Sequence, residues 1–351
     1  MIRVLVVDDS AFICRRIREI LLEDPEMQVV GFASNGAEAV RLATTLKPDV
    51  ITMDVEMPVM DGITAVKKIM ESAPAPILMF SATTHAGAQA TLDALNAGAV
   101  DFLPKRLEEI SGDREMAKQL LRRRVRMVAL QAVNARRMPA LRDSVPSVLA
   151  PQPAVPTRSL LTRRIQLLVV VASTGGPVAV QHLLSQIPAH CSFPVLIVQH
   201  MPPRFTQIFA ERLNDLCKIE VREAREGDVL QASVALVGPG GMQMELNSQC
   251  GRKTITLRPK HADELYSPCA DITLTSVAQY YPRDTLAVIL TGMGSDGKEG
   301  AARLKQQGAI VWAQNEASCT IYGMPKAVVE ARLADQVLSL DALAEEFRRF
   351  H

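Results

Sequence analysis

Three residues in the second half of the chain, Ser173, His200 and Asp296, carry side chains that together can perform nucleophilic catalysis. A serine hydroxyl is a weak nucleophile until a base removes its proton, and an imidazole base needs a carboxylate that fixes its tautomer. Each of the three lies just beyond a short apolar run that is typical of a buried strand. Because the carboxyl ends of parallel strands share one edge of a sheet, we expect the three side chains to converge there.

The glycines around two of these residues leave other interpretations open. Those after Ser173 also fit a simple turn or an anion-binding nest. The stretch Gly292–Gly297 reads G-x-G-x-x-G between a predicted strand and a predicted helix, as in dinucleotide-binding proteins. Against that reading, Asp296 would place a negative charge beside the pyrophosphate. A Walker A motif is excluded because Glu299 occupies the position of its Ser/Thr.

Acidic residues follow the predicted strands of the first half in the same way. Asp8 and Asp9 come after the first apolar run and Asp54 after the third, while Ser81 and Lys105 follow the fourth and fifth. Three carboxylates that share one sheet edge repel one another unless a cation is present, and oxygen ligands favour Mg²⁺. Lys105 and the Ser81 hydroxyl could then contact a phosphoryl group on one of these carboxylates.

These positions follow from an alternation of strand and helix patterns. Residues 1–105 contain five apolar runs separated by four segments with helical spacing, which predicts a parallel sheet with helices on both faces. A second α/β body begins at Ile165. Residues 107–137 have helical periodicity, and Met138–Arg158 is rich in proline and predicts an extended linker. We expect two doubly wound α/β domains, 1–122 and 161–351, joined by a basic and Pro-rich linker at 123–160.

Composition excludes several classes of protein. The 351 residues are 48% hydrophobic and 22% charged, which does not suit a disordered chain. The six cysteines are scattered without a C-x-x-C pair, and the longest apolar stretches are too short for a membrane span. We therefore expect a cytoplasmic protein without membrane insertion. Residues 111–164 hold twelve basic and three acidic side chains, and in the absence of interleaved aromatic residues a solvated helix face is favoured over nucleic-acid binding.

The first half resembles the receiver domain of two-component response regulators. The resemblance rests on Val4–Ser10, on Asp54–Gly62, on Phe80–Ala82 and on Asp101–Lys105. It implies a flavodoxin-like (βα)5 fold in which Asp54 accepts a phosphoryl group. It also implies a Mg²⁺ ion held by the acidic residues and a backbone carbonyl, and switch residues that respond to phosphorylation. The implied metal ligands are Asp8, Asp9, Asp54 and Glu56, and the implied switch residues are Ser81, Phe102 and Lys105. Pro104 before the lysine departs from the usual family pattern.

The second half resembles the chemotaxis protein-glutamate methylesterase family, through Val171–Pro177, Gln199–Pro202 and Leu290–Gly297. The resemblance implies a Rossmann-like domain without a cofactor. In it Ser173 is the nucleophile, His200 the base and Asp296 the acid that orients the base. It places oxyanion donors at the backbone amides near Thr174 and Met293.

A receiver domain followed by a methylesterase domain is that family's architecture. The resemblance implies a phosphorylation-activated serine hydrolase that removes methyl groups from γ-glutamyl methyl esters of chemoreceptors and also deamidates receptor glutamines. The implied partners are methyl-accepting chemoreceptors and a receptor-coupled histidine kinase, with no nucleic acid. Within the family stretch Tyr266–Asp271, Cys269 is a departure that could disturb substrate positioning.

Overall fold

The structure is a computed structural model that describes residues 1–105, 114–142, 164–249 and 251–350, with side chains in the second of these segments given for 115–129. The chain divides into two compact units, Met1–Gln152 and Pro153–His351. Both predicted α/β bodies are therefore confirmed as separate units. No helix in the described ranges is long and apolar enough to cross a membrane.

The first unit is a five-stranded parallel sheet in the order β2-β1-β3-β4-β5. Its strands are β1 (Ile2–Val7), β2 (Met27–Ala33), β3 (Val50–Asp54), β4 (Ile77–Ser81) and β5 (Asp101–Pro104). Four helices alternate with them: α1 (Ala11–Leu22), α2 (Gly36–Leu46), α3 (Gly62–Ser72) and α4 (His85–Asn96). Each of these helices begins after a residue whose side-chain oxygen accepts a backbone N–H of the first turn, namely Ser10, Asn35, Asp61 and Thr84. The predicted (βα)5 order is confirmed.

A fifth helix, α5 (Arg114–Arg142), covers one face of this sheet. Its buried Leu121, Val125 and Val128 belong to the same core cluster as Val4 and Leu78. The predicted domain boundary at residue 122 therefore falls inside a helix whose apolar face packs on the first unit. The sequence predicted helical structure from residue 107, but residues 106–113 lie outside the described ranges.

Basic side chains of α5 pair with acidic side chains of the same unit. Lys118 Nζ lies 2.8 Å from Glu23 Oε1, and Arg122 also binds Glu23. Arg126 Nη2 lies 2.5 Å from Asp24 Oδ2, and Arg124 binds Asp101. These four basic side chains are thus paired with acidic residues of β5 and of the loop after α1. These ion pairs favour an intramolecular role for the charges over nucleic-acid binding.

The prediction of an extended linker from Met138 onward was wrong for its first five residues, because α5 continues to Arg142 and includes Pro139. Leucine, alanine, arginine and methionine all form helix readily, so helical backbone persists after the apolar periodicity has ended. A proline inside a helix removes one backbone hydrogen bond and crowds the carbonyl four residues earlier, so Pro139 was a fair signal for a helix end that this helix does not follow. The remaining linker residues, 143–160, lie outside the described ranges.

The second unit contains a seven-stranded parallel sheet in the order β14-β13-β12-β6-β7-β9-β8. Its strands are β6 (Leu167–Ala172), β7 (Val195–Gln199), β8 (Glu220–Glu223), β9 (Val234–Val237), β12 (Thr285–Ile289), β13 (Ile310–Gln314) and β14 (Gln336–Leu338). Its helices are α6 (Gly176–Leu184), α7 (Phe205–Leu216), α8 (Ala270–Tyr280), α9 (Lys298–Gln306), α10 (Met324–Glu330) and α11 (Leu340–Phe347). Strands β6, β7 and β12 are adjacent and almost wholly apolar, as expected for parallel strands with both faces covered.

An antiparallel hairpin, β10 (Met242–Gln249) and β11 (Arg252–Pro259), lies outside the seven-stranded sheet. Its inner residues Met244, Leu246 and Ile255 pack in the same cluster as Leu274 and Val277 of α8. The hairpin and the following loop, residues 260–269, lead directly into α8. This hairpin was not predicted from the sequence, and it proves important for the site.

Candidate phosphorylation and catalytic sites

The acidic residues of the first unit converge as predicted. Asp8, Asp9 and Asp54 each offer a carboxylate oxygen, and these oxygens all lie within 4.8 Å of one another. Lys105 Nζ lies 2.6 Å from Asp54 Oδ2. The Lys105 backbone N–H donates to the Ser81 carbonyl at 2.8 Å, so the preceding Pro104 does not remove the lysine from the site.

Burial dominates the electrostatics of this acidic cluster. It raises the pKa of Asp8 to about 6, and the charge of Asp54 acts in the same direction against a backbone hydrogen bond from Ser10. Burial also raises the pKa of Asp54, even though Lys105 favours its ionised form. For Lys105, burial acts to lower the pKa, but the bond to Asp54 and the charges of the three carboxylates together outweigh burial and raise the pKa. The carboxylates therefore lie in an environment that disfavours their negative charge.

The acidic cluster fits a hard divalent cation. Asp8 Oδ2 is buried without a hydrogen-bond partner in the described part of the chain, although Asp8 Oδ1 accepts the Ser10 N–H at 2.8 Å. An unpartnered buried carboxylate oxygen beside two other carboxylates is an unfavourable arrangement that a cation would relieve. Oxygen ligands of this kind are those that Mg²⁺ prefers.

The other predicted switch residues lie near this site without touching Asp54 in the contacts that the structure gives. The Ser81 hydroxyl donates to the Gly87 carbonyl at 3.0 Å and accepts from the Thr91 hydroxyl at 2.5 Å, which directs it towards α4. Phe102 is buried in β5. Glu56 donates its backbone N–H to Asp54 Oδ1 at 3.4 Å. Their predicted roles in metal binding and switching remain predictions.

The second unit brings its three predicted residues to one edge of the sheet. Ala172 and Gln199 are register partners, so Ser173 and His200 follow directly on neighbouring strands. The His200 backbone N–H donates to the Ala172 carbonyl at 3.1 Å. On the other side of β6, the Ser173 N–H donates to the Thr291 carbonyl at 3.0 Å, and Asp296 lies five residues further along that chain segment.

Hydrogen bonds to its backbone hold Ser173 in place. Its carbonyl accepts the Gly176 N–H at 2.8 Å and the Gln199 side-chain amide at 2.9 Å. Gly175 has a φ of +75°, which turns the chain sharply into α6, and a Cβ there would lie 2.3 Å from Thr320. The Ser173 side chain is buried, and no hydrogen bond of its hydroxyl appears within the described ranges.

His200 and Asp296 form a direct bond, with 2.7 Å between His200 Nε2 and Asp296 Oδ2. Both side chains are less than a tenth exposed. The second ring nitrogen, Nδ1, is buried and has no hydrogen-bond partner among the described residues. The carboxylate therefore occupies one nitrogen of the imidazole and leaves the other available as an acceptor once Nε2 carries the hydrogen.

Asp296 stays ionised because of its surroundings. Burial acts to raise its pKa, but the bond to His200 and backbone hydrogen bonds outweigh burial and lower the pKa to about 2. Two of the backbone donors, Ala270 N at 2.7 Å and Asp271 N at 3.0 Å, belong to the first turn of α8. The carboxylate thus accepts the unpaired N–H groups at the positive end of that helix, where a negative charge is stabilised.

Cys269 and Asp271, at the start of α8, complete the environment of Asp296. The Cys269 thiol lies 3.2 Å from Asp296 Oδ1, and burial together with that charge raises its pKa to about 12. Cys269 is therefore a neutral donor to the carboxylate. Asp271 accepts the Gly300 N–H at 2.7 Å, and burial raises its pKa to about 6.

The glycine-rich turn after β12 packs against Ser173. A Cβ placed on Gly292 would lie 2.8 Å from Ser173 Cβ and 2.3 Å from the Met324 sulfur, so only glycine allows this approach. Of the two predicted oxyanion residues, Met293 is buried beside Gly292 and Thr174 follows Ser173, and their roles as donors remain predictions. In the structure, Gly292 of the G-x-G-x-x-G stretch packs against Ser173, and Asp296 of the same stretch bonds to His200. Because these residues contact the triad, the stretch is unlike a dinucleotide-binding loop.

Two residues that contact the triad, and a third that holds one of them, were not assigned a role from the sequence. Gln199 binds the Ser173 carbonyl, Tyr266 stacks on the His200 ring, and Gln243 of the hairpin holds the segment around Tyr266. Gln199 directly precedes the predicted base, so its position at a strand end was a usable signal. No sequence pattern links Tyr266 or Gln243 to His200, because the hairpin that positions them was not predicted.

Comparison with known proteins agrees with this geometry. Residues 4–112 match the response regulator receiver domain family, and residues 168–347 match the CheB methylesterase family. The fold and the sequence thus define a methylesterase that carries a receiver domain. The structure is similar to the Thermotoga maritima CheB methylesterase catalytic domain, with 34% identity and a TM-score of 0.51 over 54% of this chain and all of that chain.

Full-length relatives cover almost the entire chain. A protein-glutamate methylesterase/protein-glutamine glutaminase of group 1 operon from Pseudomonas putida is 50% identical over 98% of both chains. A protein-glutamate methylesterase/protein-glutamine glutaminase from Pseudoalteromonas translucida is 47% identical over 98% of this chain and 97% of its own. The chain belongs to the protein-glutamate methylesterase/protein-glutamine glutaminase family of chemotaxis enzymes.

Proposed function

We propose that this enzyme hydrolyses γ-glutamyl methyl esters of chemoreceptors through a Ser173–His200–Asp296 triad under the control of phosphorylation at Asp54. The observation that carries the proposal is the buried 2.7 Å bond between His200 Nε2 and Asp296 Oδ2, beside the strand end that holds Ser173. A buried imidazole with an ionised partner on one nitrogen and a free second nitrogen has the arrangement of a general base.

The proposed reaction proceeds through an acyl-enzyme. Ser173 Oγ attacks the ester carbonyl carbon while its proton moves to His200 Nδ1, and Asp296 stabilises the resulting imidazolium. Collapse of the tetrahedral intermediate breaks the bond to the methoxy oxygen, which takes the proton from His200 and leaves as methanol. Water then attacks the acyl-enzyme, again giving a proton to His200, and Ser173 is released with its hydroxyl restored. A receptor glutamine would follow the same path and release ammonia.

Backbone N–H groups of Thr174 and Met293 are the proposed donors to the oxyanion. Both lie on segments that flank Ser173, and the close approach that Gly292 permits brings the second segment against the nucleophile. Loss of a single donor of this kind costs about 2.7–4 kcal/mol of transition-state stabilisation in other hydrolases. The catalytic domain requires no cofactor in this scheme.

In the receiver domain, we propose Asp54 as the residue that is phosphorylated by a receptor-coupled histidine kinase. The proposed Mg²⁺ ligands are Asp8, Asp9, Asp54 and the Glu56 carbonyl. A bound ion would supply positive charge that offsets the negative charge of the phosphoryl oxygens. Lys105, Ser81 and Phe102 are the proposed residues that respond to the modification. We further propose that the enzyme acts in the cytoplasm, with a catalytic domain at 161–351 and a receiver domain that extends past the predicted boundary at residue 122 to include the packed part of α5.

The direct test of the activity is methanol release from membranes that contain methylated chemoreceptors. The wild-type enzyme should release methanol and convert the methyl esters to glutamate carboxylates. It should hydrolyse methyl esters of small unrelated carboxylic acids much more slowly. Membranes with unmethylated receptors serve as the control. Absence of methanol from methylated receptors, in the presence of a small phosphodonor, would contradict the proposed substrate.

Control by the receiver is tested by the Asp54→Asn variant. Adding acetyl phosphate and Mg²⁺ to the wild type should raise its rate by about 5- to 150-fold, the usual range of coupling between two sites. The Asn side chain has no carboxylate oxygen that can accept the phosphoryl group, so the variant should lose this response. Glu56→Gln, an exposed neighbour whose backbone alone is implicated, is the matched control. A full response in Asp54→Asn would refute the gating proposal.

A further inference from the structure

The loop at residues 260–269 is fixed to the hairpin by a buried amide. The Gln243 side chain is fully buried, and its Nε2 donates to the Tyr266 carbonyl at 2.8 Å and to Glu264 Oε2 at 2.9 Å. Its Oε1 accepts the Cys269 N–H at 2.9 Å. Arg258 of β11 binds Glu264 as well, with 2.6 Å between Nη2 and Oε1. The loop thus has a defined conformation on both sides of Tyr266.

This conformation places the Tyr266 ring flat against the His200 imidazole. The ring centroids are 4.3 Å apart and the planes differ by 4°. A Cβ placed on Gly294 would lie 3.0 Å from the Tyr266 hydroxyl, so the same side chain also reaches the glycine-rich turn beside the site. The imidazole is therefore held at its edge by Asp296 and on one face by Tyr266.

We propose that Tyr266 is a positioning residue for the His200 base, in which the aromatic face fixes the imidazole plane and stabilises the imidazolium that forms during the reaction. The inference rests on the proposed function of Ser173, His200 and Asp296. It assigns a role to a side chain outside the triad and to the hairpin that holds it.

The physical basis is the negative face of the phenol ring. A cation within about 6 Å of an aromatic centroid is attracted to that face, and the attraction increases where water is excluded. Neutral imidazole gains less from the same contact, so the stack favours the protonated form of His200. Because the imidazolium exists only after the serine proton has been transferred, the interaction strengthens along the reaction path and lowers the barrier.

Other ionisable groups face the same histidine–aspartate pair. Asp296 bonds to His200 directly, while Cys269 and Asp271 contact or adjoin Asp296 from the start of α8. Cys269 is neutral in the range of the assay because its pKa is raised to about 12. Burial raises the pKa of Asp271 to about 6, so the acid limbs of the variants are compared with that of the wild type, which contains the same carboxyl group.

The test compares Tyr266→Leu with Tyr266→Phe. Leucine keeps an apolar cover on the imidazole but removes the aromatic face, whereas phenylalanine keeps the face and removes only the hydroxyl. We expect kcat/KM of Tyr266→Leu to fall by about 2- to 30-fold, with the loss in kcat. The acid limb of its pH profile should move to lower pH by about half to one and a half pH units. Tyr266→Phe should remain within about twofold of the wild type.

Two further measurements separate this inference from the proposed function. Leu265→Ala, at the exposed neighbouring position, should leave both kcat/KM and the acid limb unchanged. Equal losses in the Leu and Phe variants, or an acid limb that does not move, would overturn the role of the aromatic face. Undiminished activity of Ser173→Ala would instead overturn the triad itself.

Discussion

The Ser173→Ala variant is expected to lose methylesterase activity by about 10⁶-fold in kcat, which leaves only the rate that substrate binding and the oxyanion donors support. This hydroxyl is the group that we propose forms the acyl-enzyme. Its loss should not disturb the fold, because the Ser173 backbone is held by Thr291, Gly176 and Gln199, and its hydroxyl makes no hydrogen bond in the described ranges.

The measurement is methanol release per enzyme together with thermal unfolding. The melting temperature of Ser173→Ala should lie close to that of the wild type, and Ser185→Ala, a change of the same kind at the end of α6, should keep full activity. The double variant Ser173→Ala/His200→Gln should be no slower than Ser173→Ala alone, since residues that act as one unit are not additive. Activity above one per cent of the wild type in Ser173→Ala would contradict its role as nucleophile.

Strand order explains how much of the site could be predicted. Parallel strands deliver the residues after their carboxyl ends to one edge, so the convergence of Asp8, Asp9 and Asp54 followed from the alternation of apolar runs alone. The pairing of His200 with Asp296 followed in the same way, since β7, β6 and β12 are neighbours. The roles proposed for these residues came from the family resemblance rather than from the alternation.

What the sequence could not predict depends on contacts between elements that are distant along the chain. Asp296 is held ionised by His200 and by the first turn of α8, but a helix N-terminus some 25 residues away has no local signature in the motif around Asp296. Tyr266 reaches His200 only because Gln243 of the hairpin fixes its loop. The basic side chains of α5 were left unexplained because their acidic partners, such as Glu23 and Asp24, lie about one hundred residues earlier.

The Asp296→Asn variant is expected to lose about 10⁴-fold in kcat while keeping its fold at neutral pH. An asparagine amide can donate to His200 Nε2, which would place the imidazole hydrogen on Nδ1, the nitrogen that must accept the serine proton. It also cannot stabilise the imidazolium as a carboxylate does. Asp271→Asn is the matched control, because it removes the nearest other carboxylate yet keeps an oxygen that can accept the Gly300 N–H, and it should stay within about tenfold of the wild type.

Stability as a function of pH provides an independent check on the same residue. The pKa of Asp296 is lowered to about 2 in the folded enzyme, whereas its ordinary pKa is near 4. The ionised carboxylate therefore stabilises the folded state at pH values above about 4. That contribution is lost as the pH falls from about 4 towards 2. The difference in unfolding free energy between wild type and Asp296→Asn, measured by urea denaturation, should therefore shrink over this interval. A difference that stays constant, or a loss of activity in Asp271→Asn as large as that in Asp296→Asn, would contradict the assignment of Asp296 as the ionised partner of the base.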